Sequence, residues 1–208
     1  MIVLPCYYLA PVSHYSALFR AGEAQLEVND RYRKQTFRNR CVIDSPQGPL
    51  ALSIPVEKPA PHALMRDIRI SDHGNWRHLH WNALVSAYGE SPFFEYYQDD
   101  IRPFFEKRWE FLFDFNEEIR MKMCELVDIQ PKASYSLEFR EVANSQLSTL
   151  NSQLKDYREG IRPKHPMADP DFEAKPYYQV YQQKHGFLAN LSVLDLLFNM
   201  GPESIFYL

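Results

Sequence analysis

The order in which two kinds of apolar pattern occur limits this chain more than any other feature. Up to about residue 75 the apolar residues come in short runs bounded by turn formers; beyond Trp76 they fall mostly on helical stripes. "IVLPCYYL" is rich in Val, Ile and Tyr and reads as a buried strand. "VSHYSALFRAG" follows, with Val12, Tyr15, Leu18 and Phe19 at helical spacing and Gly22 as its stop. "AQLEVN" reads as a strand. "QTFRNRCVI" and "LALSIPV" flank the turn-rich "DSPQG" and read as an antiparallel hairpin with a longer loop. "RDIRI" alternates and predicts one more half-buried strand.

After Trp76, the residues Trp81, Leu84, Val85 and Tyr88 share a helical stripe. In "SPFFEYYQDD", Ser91 is the expected N-cap and Pro92 the first helical residue. Pro103 is expected to start a helix, since it cannot sit inside one. "FLFDFNEEIRMKMCELVDI" predicts a long amphipathic helix ending near Ile129, and "YSLEF" a last strand. In "NLSVLDLLFNMG", Ser192 caps a helix that Gly201 ends. Strands first, a helical half and a final helix predict an α+β fold with mostly antiparallel strands, not a regular βαβ alternation. The 208 residues suit one domain over 1–208, with a polar, proline-rich loop or lid at about 143–176.

Composition narrows the class of function. The formal net charge is -4 and the pI about 6.0, which argues against a nucleic-acid binder. The three cysteines, Cys6, Cys41 and Cys124, are odd in number and show no CxxC spacing, so neither a disulfide scaffold nor a zinc ribbon is expected. The proline-broken N-terminus does not read as a signal peptide, and the chain lacks a run of about 18 apolar residues. A cytoplasmic protein without a transmembrane segment is expected. "SPFFEYY" and "FFEKRWEFLFDF" could supply the face of a homodimer or could pack inside one domain.

Against that acidic background, "RYRKQTFRNR" stands out, with five basic residues in ten at positions 31–40. As a strand it would put Lys34, Thr36, Arg38 and Arg40 on one face and Gln35, Phe37 and Asn39 on the other. A row of Lys and Arg beside a hydroxyl grips phosphate well, because Arg offers a planar fork and Lys a point charge. A solvated face paired with Glu27 and Asp30 is the plainer alternative. His78 and His80 point about 160° apart on a helix at roughly 100° per residue, so they would not share a metal; no metal site and no cofactor are expected. His80 is a candidate general base, or else a hydrogen-bonded packing residue. Cys6 and His14 could form a nucleophilic pair, though a small buried Cys is the simpler account. Asp195 and Asn199 lie four apart on one face of an apolar helix, so Asp195 either caps that helix, pairs with an Arg of the basic stretch or faces a pocket.

Four segments together, "KQTFRNRCVI", "LSIPV", "HWNALVSAYGESPFFEYY" and "YYQVYQQKHGFLANLSVLDLLFNMGPES", resemble the WbqC family over nearly the whole chain. The resemblance implies a part in biosynthesis of O-antigen and related surface polysaccharides. Its motif falls here on Lys34, Asn39, Arg40, His80, Trp81, Tyr88, Ser91, Pro92, Asn190, Asp195 and Asn199. The N-terminal "CYYLAPVSHY" departs from the Pro-x-Tyr-x-Pro-Trp pattern of longer members, which withholds support from a Cys6–His14 pair. The expected function is a transferase acting on an activated or amino sugar. Lys34 and Arg40 would hold an anionic, phosphate-bearing ligand, and Gln35, Asn39, Tyr88, Asn190 and Asn199 would line its site. His80 would serve as acid or base, oriented by Asp195. The alternative is a non-catalytic ligand-binding or assembly protein for polysaccharide enzymes.

Overall fold

All four residues of the first strand, β1 (Ile2–Pro5), are buried, and a strand covered on both faces belongs at the centre of a parallel sheet. The chain then turns through Cys6–Pro11 into α1 (Val12–Ala21). Gly22 ends this helix at a φ of 64°, a left-handed conformation open to glycine, and donates its N–H to the Leu18 carbonyl. The next strand, β2 (Glu23–Glu27), lies parallel to β1 with Ile2 opposite Ala24 and Leu4 opposite Leu26. The computed structural model describes residues 1–139, 155–163, 166–167 and 169–208.

The hairpin of β3 (Arg40–Ile43) and β4 (Leu50–Ser53) is antiparallel, as the turn-rich "DSPQG" predicts. The helices α2 (Trp76–Tyr88), α3 (Phe94–Ile101), α4 (Pro103–Glu106) and α5 (Leu112–Leu126) follow, with Pro103 at the start of α4. Strand β5 (Lys132–Tyr135) adds to β2 and β6 (Lys155–Asp156) to β1, both parallel, so the sheet order is β5-β2-β1-β6. A short α6 (Gln182–His185) and the apolar α7 (Val193–Met200) complete the chain. Ser192 caps α7 by accepting the Leu194 N–H at 3.4 Å.

Helices and strands are therefore mixed, but the expectation of mostly antiparallel strands is corrected. Each described pair in the four-stranded sheet is parallel; antiparallel ladder pairing belongs to the hairpin. The reason is local. A helix between two strands returns the chain to the end where the first strand began, so β1–α1–β2 must be parallel. Other local readings shift as well. The strand expected over 34–40 is a turn until Arg40, and "RDIRI" makes a short 3-10 turn with isolated bridges at Arg69 and Ile70. Ser91 bonds back to the Tyr88 carbonyl at 2.7 Å, and Phe93 takes the position before α3. The last part of the sheet is β6, later than "YSLEF". Much of the lid expected over 143–176 lies outside the described residues.

Phe94, Phe105, Trp109 and Phe115 are buried in the domain, while Tyr96 is exposed. No helix among the described residues is long and apolar enough to cross a membrane. The N-terminus of α7 joins three elements: Val12 N–H donates to the Leu191 carbonyl, Val193 N–H to Ala10 and Ser192 N–H to Val42. This junction brings α1, β3 and the segment before α7 together at one end of the sheet.

Candidate ligand-binding cleft

From β1 the chain runs through α1 to β2 on one side, while β6 lies on the other side of β1. Open parallel sheets hold ligands beyond the carboxyl ends of their strands at such a divergence. Here the carboxyl end of β1 leads to α1, and that of β6 to Tyr157–Pro163. A cavity of about 500 Å³ opens beside them. Ser13 from the first turn of α1, Phe37, Val42 of β3, the run Gly160–Pro163 and the run Leu188–Leu191 form its walls.

Named contacts hold these walls. The Tyr7 hydroxyl donates to the Ile161 carbonyl at 2.6 Å, pinning the loop after β6 to the chain after β1. Arg33 pairs with Glu159 at 2.6 Å, so the basic segment leans on the same loop. Asn190 adopts a φ of 57°, a left-handed conformation that Asn tolerates better than most residues. Its Oδ1 accepts the Ser13 N–H at 2.8 Å, supplying from 177 positions away a cap for one of the free amides at the start of α1. The Ser13 hydroxyl is buried, has no hydrogen-bond partner among the described residues, and belongs to a cavity-wall residue.

Charged residues lie in the wall and on the strand beside it. Arg162 is exposed in the wall, and Arg40 shares the half-buried face of β3 with the wall residue Val42. Arg40 Nε donates to Ser53 Oγ at 3.0 Å. Asp169, also in the wall, pairs with Arg20 at 3.1 Å.

The other expected site residues lie elsewhere. Lys34 and Gln35 are exposed on the turn before β3, with Gln35 at a φ of 59°. Asn39 donates to the Ile54 carbonyl at 2.8 Å, and the buried Arg38 pairs with Asp30. His80 is buried among Tyr8, Trp76 and Phe105, its Nδ1 2.9 Å from the Tyr8 hydroxyl. Desolvation drives its pKa down to about 4, so it is a neutral packing residue at pH 7. His78 is exposed on the opposite side of α2 and bonds Asn82 at 2.9 Å.

Asp195 neither caps α7 with its side chain nor pairs with the basic segment. Its Oδ1 accepts from the Tyr88 hydroxyl at 2.9 Å; its Oδ2 accepts from the Tyr177 hydroxyl at 2.7 Å and from Gln179 Nε2 at 2.8 Å. Burial raises its pKa to about 6 against the opposing pull of these donors. Asn199 Nδ2 donates to the Asp195 carbonyl at 2.8 Å. Tyr88, Asp195 and Asn199 thus form a buried polar centre behind the cavity, and Asn190 is in its wall.

Cys6 and His14 are both buried, and the Cys6 thiol lies 3.8 Å from the Phe113 carbonyl. Burial pushes the thiol pKa up and the imidazole pKa down to about 3, which keeps both groups neutral and opposes a thiolate nucleophile. Among the described residues no cluster of three His, Cys, Asp or Glu side chains could hold a metal ion.

A model of the WbqC-like protein family matches residues 7–207, which takes in every wall of the cavity. The chain belongs to the WbqC-like protein family. It is similar to a Mycobacterium tuberculosis protein described as uncharacterized, 27% identical over 194 residues that cover 86% of this chain and 84% of the relative. No solved structure matches it significantly.

In this WbqC-like chain, sequence reasoning missed Ser13, Phe37 as a wall, Ile161, Leu188 and Gln179. One signal could have found Ser13. The strand–helix–strand reading of residues 2–27 already places the start of α1 at the carboxyl end of a strand. Nothing in the local sequence marks Gly160–Pro163 or Leu188, whose roles come from contacts across the fold.

Proposed function

We propose that this WbqC-like chain binds an activated, phosphate-bearing sugar in the cavity beyond β1 and β6, in the service of surface-polysaccharide biosynthesis. One observation carries this reading: the cavity meets the first turn of α1 at Ser13, whose buried hydroxyl has no partner among the described residues. The amides of Val12, Ser13 and His14 are already paired, with Leu191, Asn190 and Pro11. What α1 offers an anion is its dipole and the Ser13 hydroxyl, which can donate to a phosphate oxygen once its side chain turns to the cavity. Arg162 in the wall supplies positive charge, Arg40 adds to it from the strand face of the wall residue Val42, and Phe37, Ile161 and Leu188 offer apolar surface to a sugar ring or base. Family membership supports the biosynthetic setting, which is what the resemblance to the WbqC family implies.

Group transfer to a sugar hydroxyl or amine is the second reading. It is favoured by Asp169, the carboxylate among the described wall residues, which could take the acceptor proton. His80 and Asp195 do not line the cavity, so this reading does not use them.

Titration calorimetry with UDP-N-acetylglucosamine, coenzyme A and inorganic phosphate tests the site. Wild type should bind a phosphate compound saturably. Ala189→Trp, at an exposed wall position, should abolish binding without lowering Tm, and Ser13→Ala should weaken it about tenfold, the loss of one hydrogen bond to a charged group. Equal binding by wild type and Ala189→Trp, or no binding at all, would overturn the reading.

A further inference from the structure

We infer that Gln179 is a positioning residue for the cavity: from inside the core it fixes the backbone of Leu188 and so sets the wall formed by Leu188, Ala189 and Asn190. The inference rests on the ligand reading of that cavity. Gln179 has no solvent exposure. Its Oε1 accepts the Leu188 N–H at 2.8 Å, and its Nε2 donates to the Leu188 carbonyl at 2.9 Å. The side-chain amide thus clasps one residue's backbone through both of its polar groups.

The direction of the clasp is set by Asp195. Gln179 Nε2 also donates to Asp195 Oδ2 at 2.8 Å. An ionised carboxylate only accepts, so a reversed amide would set oxygen against oxygen at Asp195 and N–H against N–H at Leu188. Asp195 is in turn held by the hydroxyls of Tyr88 from α2 and Tyr177. Among the described residues, the other charged or titratable groups near this centre are Asp44, whose N–H donates to the Tyr88 hydroxyl, His185, 3.1 Å from Asp44, and Tyr207, whose ring packs on Tyr177.

The path continues to the ligand side. Two residues beyond Leu188, Asn190 holds the Ser13 N–H at 2.8 Å. A shift of about 1 Å in this segment would stretch that bond beyond hydrogen-bond range and turn the first turn of α1 loose from its cap. A carboxylate that never touches the ligand thereby determines the shape of its site.

The test pairs UDP-N-acetylglucosamine titration with NMR measurement of amide exchange at Leu188. Gln179→Met keeps the volume and removes the clasp. Leu188 exchange should rise at least tenfold and Kd about tenfold, with exchange in α7 unchanged. Gln179→Glu adds a pH readout that lost packing would not produce. Two carboxyls in contact share a proton in acid, where the introduced carboxyl donates to Asp195 and accepts the Leu188 N–H but has no second donor for the Leu188 carbonyl, and they repel once both are ionised. The affinity of this variant should be at least tenfold weaker near pH 8 than near pH 5, where it stays below wild type because the Leu188 carbonyl lacks its donor, while wild type varies less than threefold. Wild-type exchange and affinity in Gln179→Met would overturn the inference, as would a flat pH profile in Gln179→Glu. If Gln179→Met does not fold, the Gln179→Glu profile decides. If Ala189→Trp abolishes binding and the Gln179 variants leave it unchanged, the cavity reading stands and the clasp falls. If wild type does not bind the probe, the cavity reading falls, and Leu188 exchange alone decides whether Gln179 holds the wall.

Discussion

His80 on α2 and Asp195 on α7 invite the same reading from sequence, a proton-handling group on an apolar helix, yet their surroundings differ. His80 lies in an aromatic box, where the Tyr8 hydroxyl is its side-chain hydrogen-bond partner. Asp195 is the centre of three donated hydrogen bonds, and one of its donors, Gln179, reaches the cavity wall. Burial acts on both with opposite consequences. It disfavours charge, so it lowers the histidine to about 4 and raises the carboxyl to about 6. What connects a buried titratable group to a binding site is the residue at the far end of its hydrogen bonds, not its own acidity.

The comparison breaks most readily at Asp195. Asp195→Ala would leave the Tyr88 and Tyr177 hydroxyls and the Gln179 amide without their shared acceptor inside the core. The expected loss is roughly 4 kcal/mol of unfolding free energy, read from urea denaturation. His80→Phe fills the aromatic box and removes the hydrogen bonds of His80 to the Tyr8 hydroxyl, which keeps Cys41 as a partner, and to the Ser53 backbone, for a loss of about 1–2 kcal/mol at pH 7. Equal losses in the two variants would mean that the centre around Asp195 is no more demanding than the box around His80.

The pH dependence separates them by sign. Asp195 has a folded pKa above its ordinary 3.8, so its stabilising contribution is full below 3.8 and is lost as pH rises through about 6. His80 has a folded pKa below its ordinary 6.5, so its contribution is present above 6.5 and is lost as pH falls toward about 4. Each displacement corresponds to about 3 kcal/mol when fully expressed. As pH falls from 7 to 4, wild type should therefore gain stability relative to Asp195→Asn and lose it relative to His80→Phe. Urea midpoints at four or five pH values suffice, and two differences of the same sign would refute the assignment.

The ends of several elements are legible in the sequence because their signals are local. Gly22 stops α1, Pro103 starts α4, Ser192 caps α7, and "DSPQG" turns the hairpin. The parallel sheet is harder to read, although the strand–helix–strand order that dictates it is visible; the hairpin gives the stronger local signal, and it is a separate ladder. For the site, residues with long-range partners are the hard part. Asn190 is legible as polar and unusual, but its partner Ser13 is 177 positions away. Arg38 is expected to share an open face with Lys34, yet it turns inward to Asp30, because the segment is a turn and side chains there do not alternate. Charge density in a sequence does not say which cation reaches the ligand.

The same segment supplies the smallest expected effect. Lys34 is exposed, whereas Arg40 shares a strand face with the wall residue Val42 and is braced by Ser53. An exposed lysine on a turn contributes through screened, long-range attraction, and its removal should change stability by less than about 0.5 kcal/mol. Lys34→Ala should weaken a phosphate compound no more than about twofold, and that loss should vanish at high salt, where the Debye length falls to about 3 Å. Arg40→Ala should weaken it about fivefold and keep most of that loss in salt, since a half-buried cation on the strand of a wall residue is less screened than an exposed one. Calorimetry of both variants in low and high salt distinguishes them. A Lys34 effect that equals the Arg40 effect and survives salt would place the ligand over the basic turn and not in the cavity beyond β1 and β6.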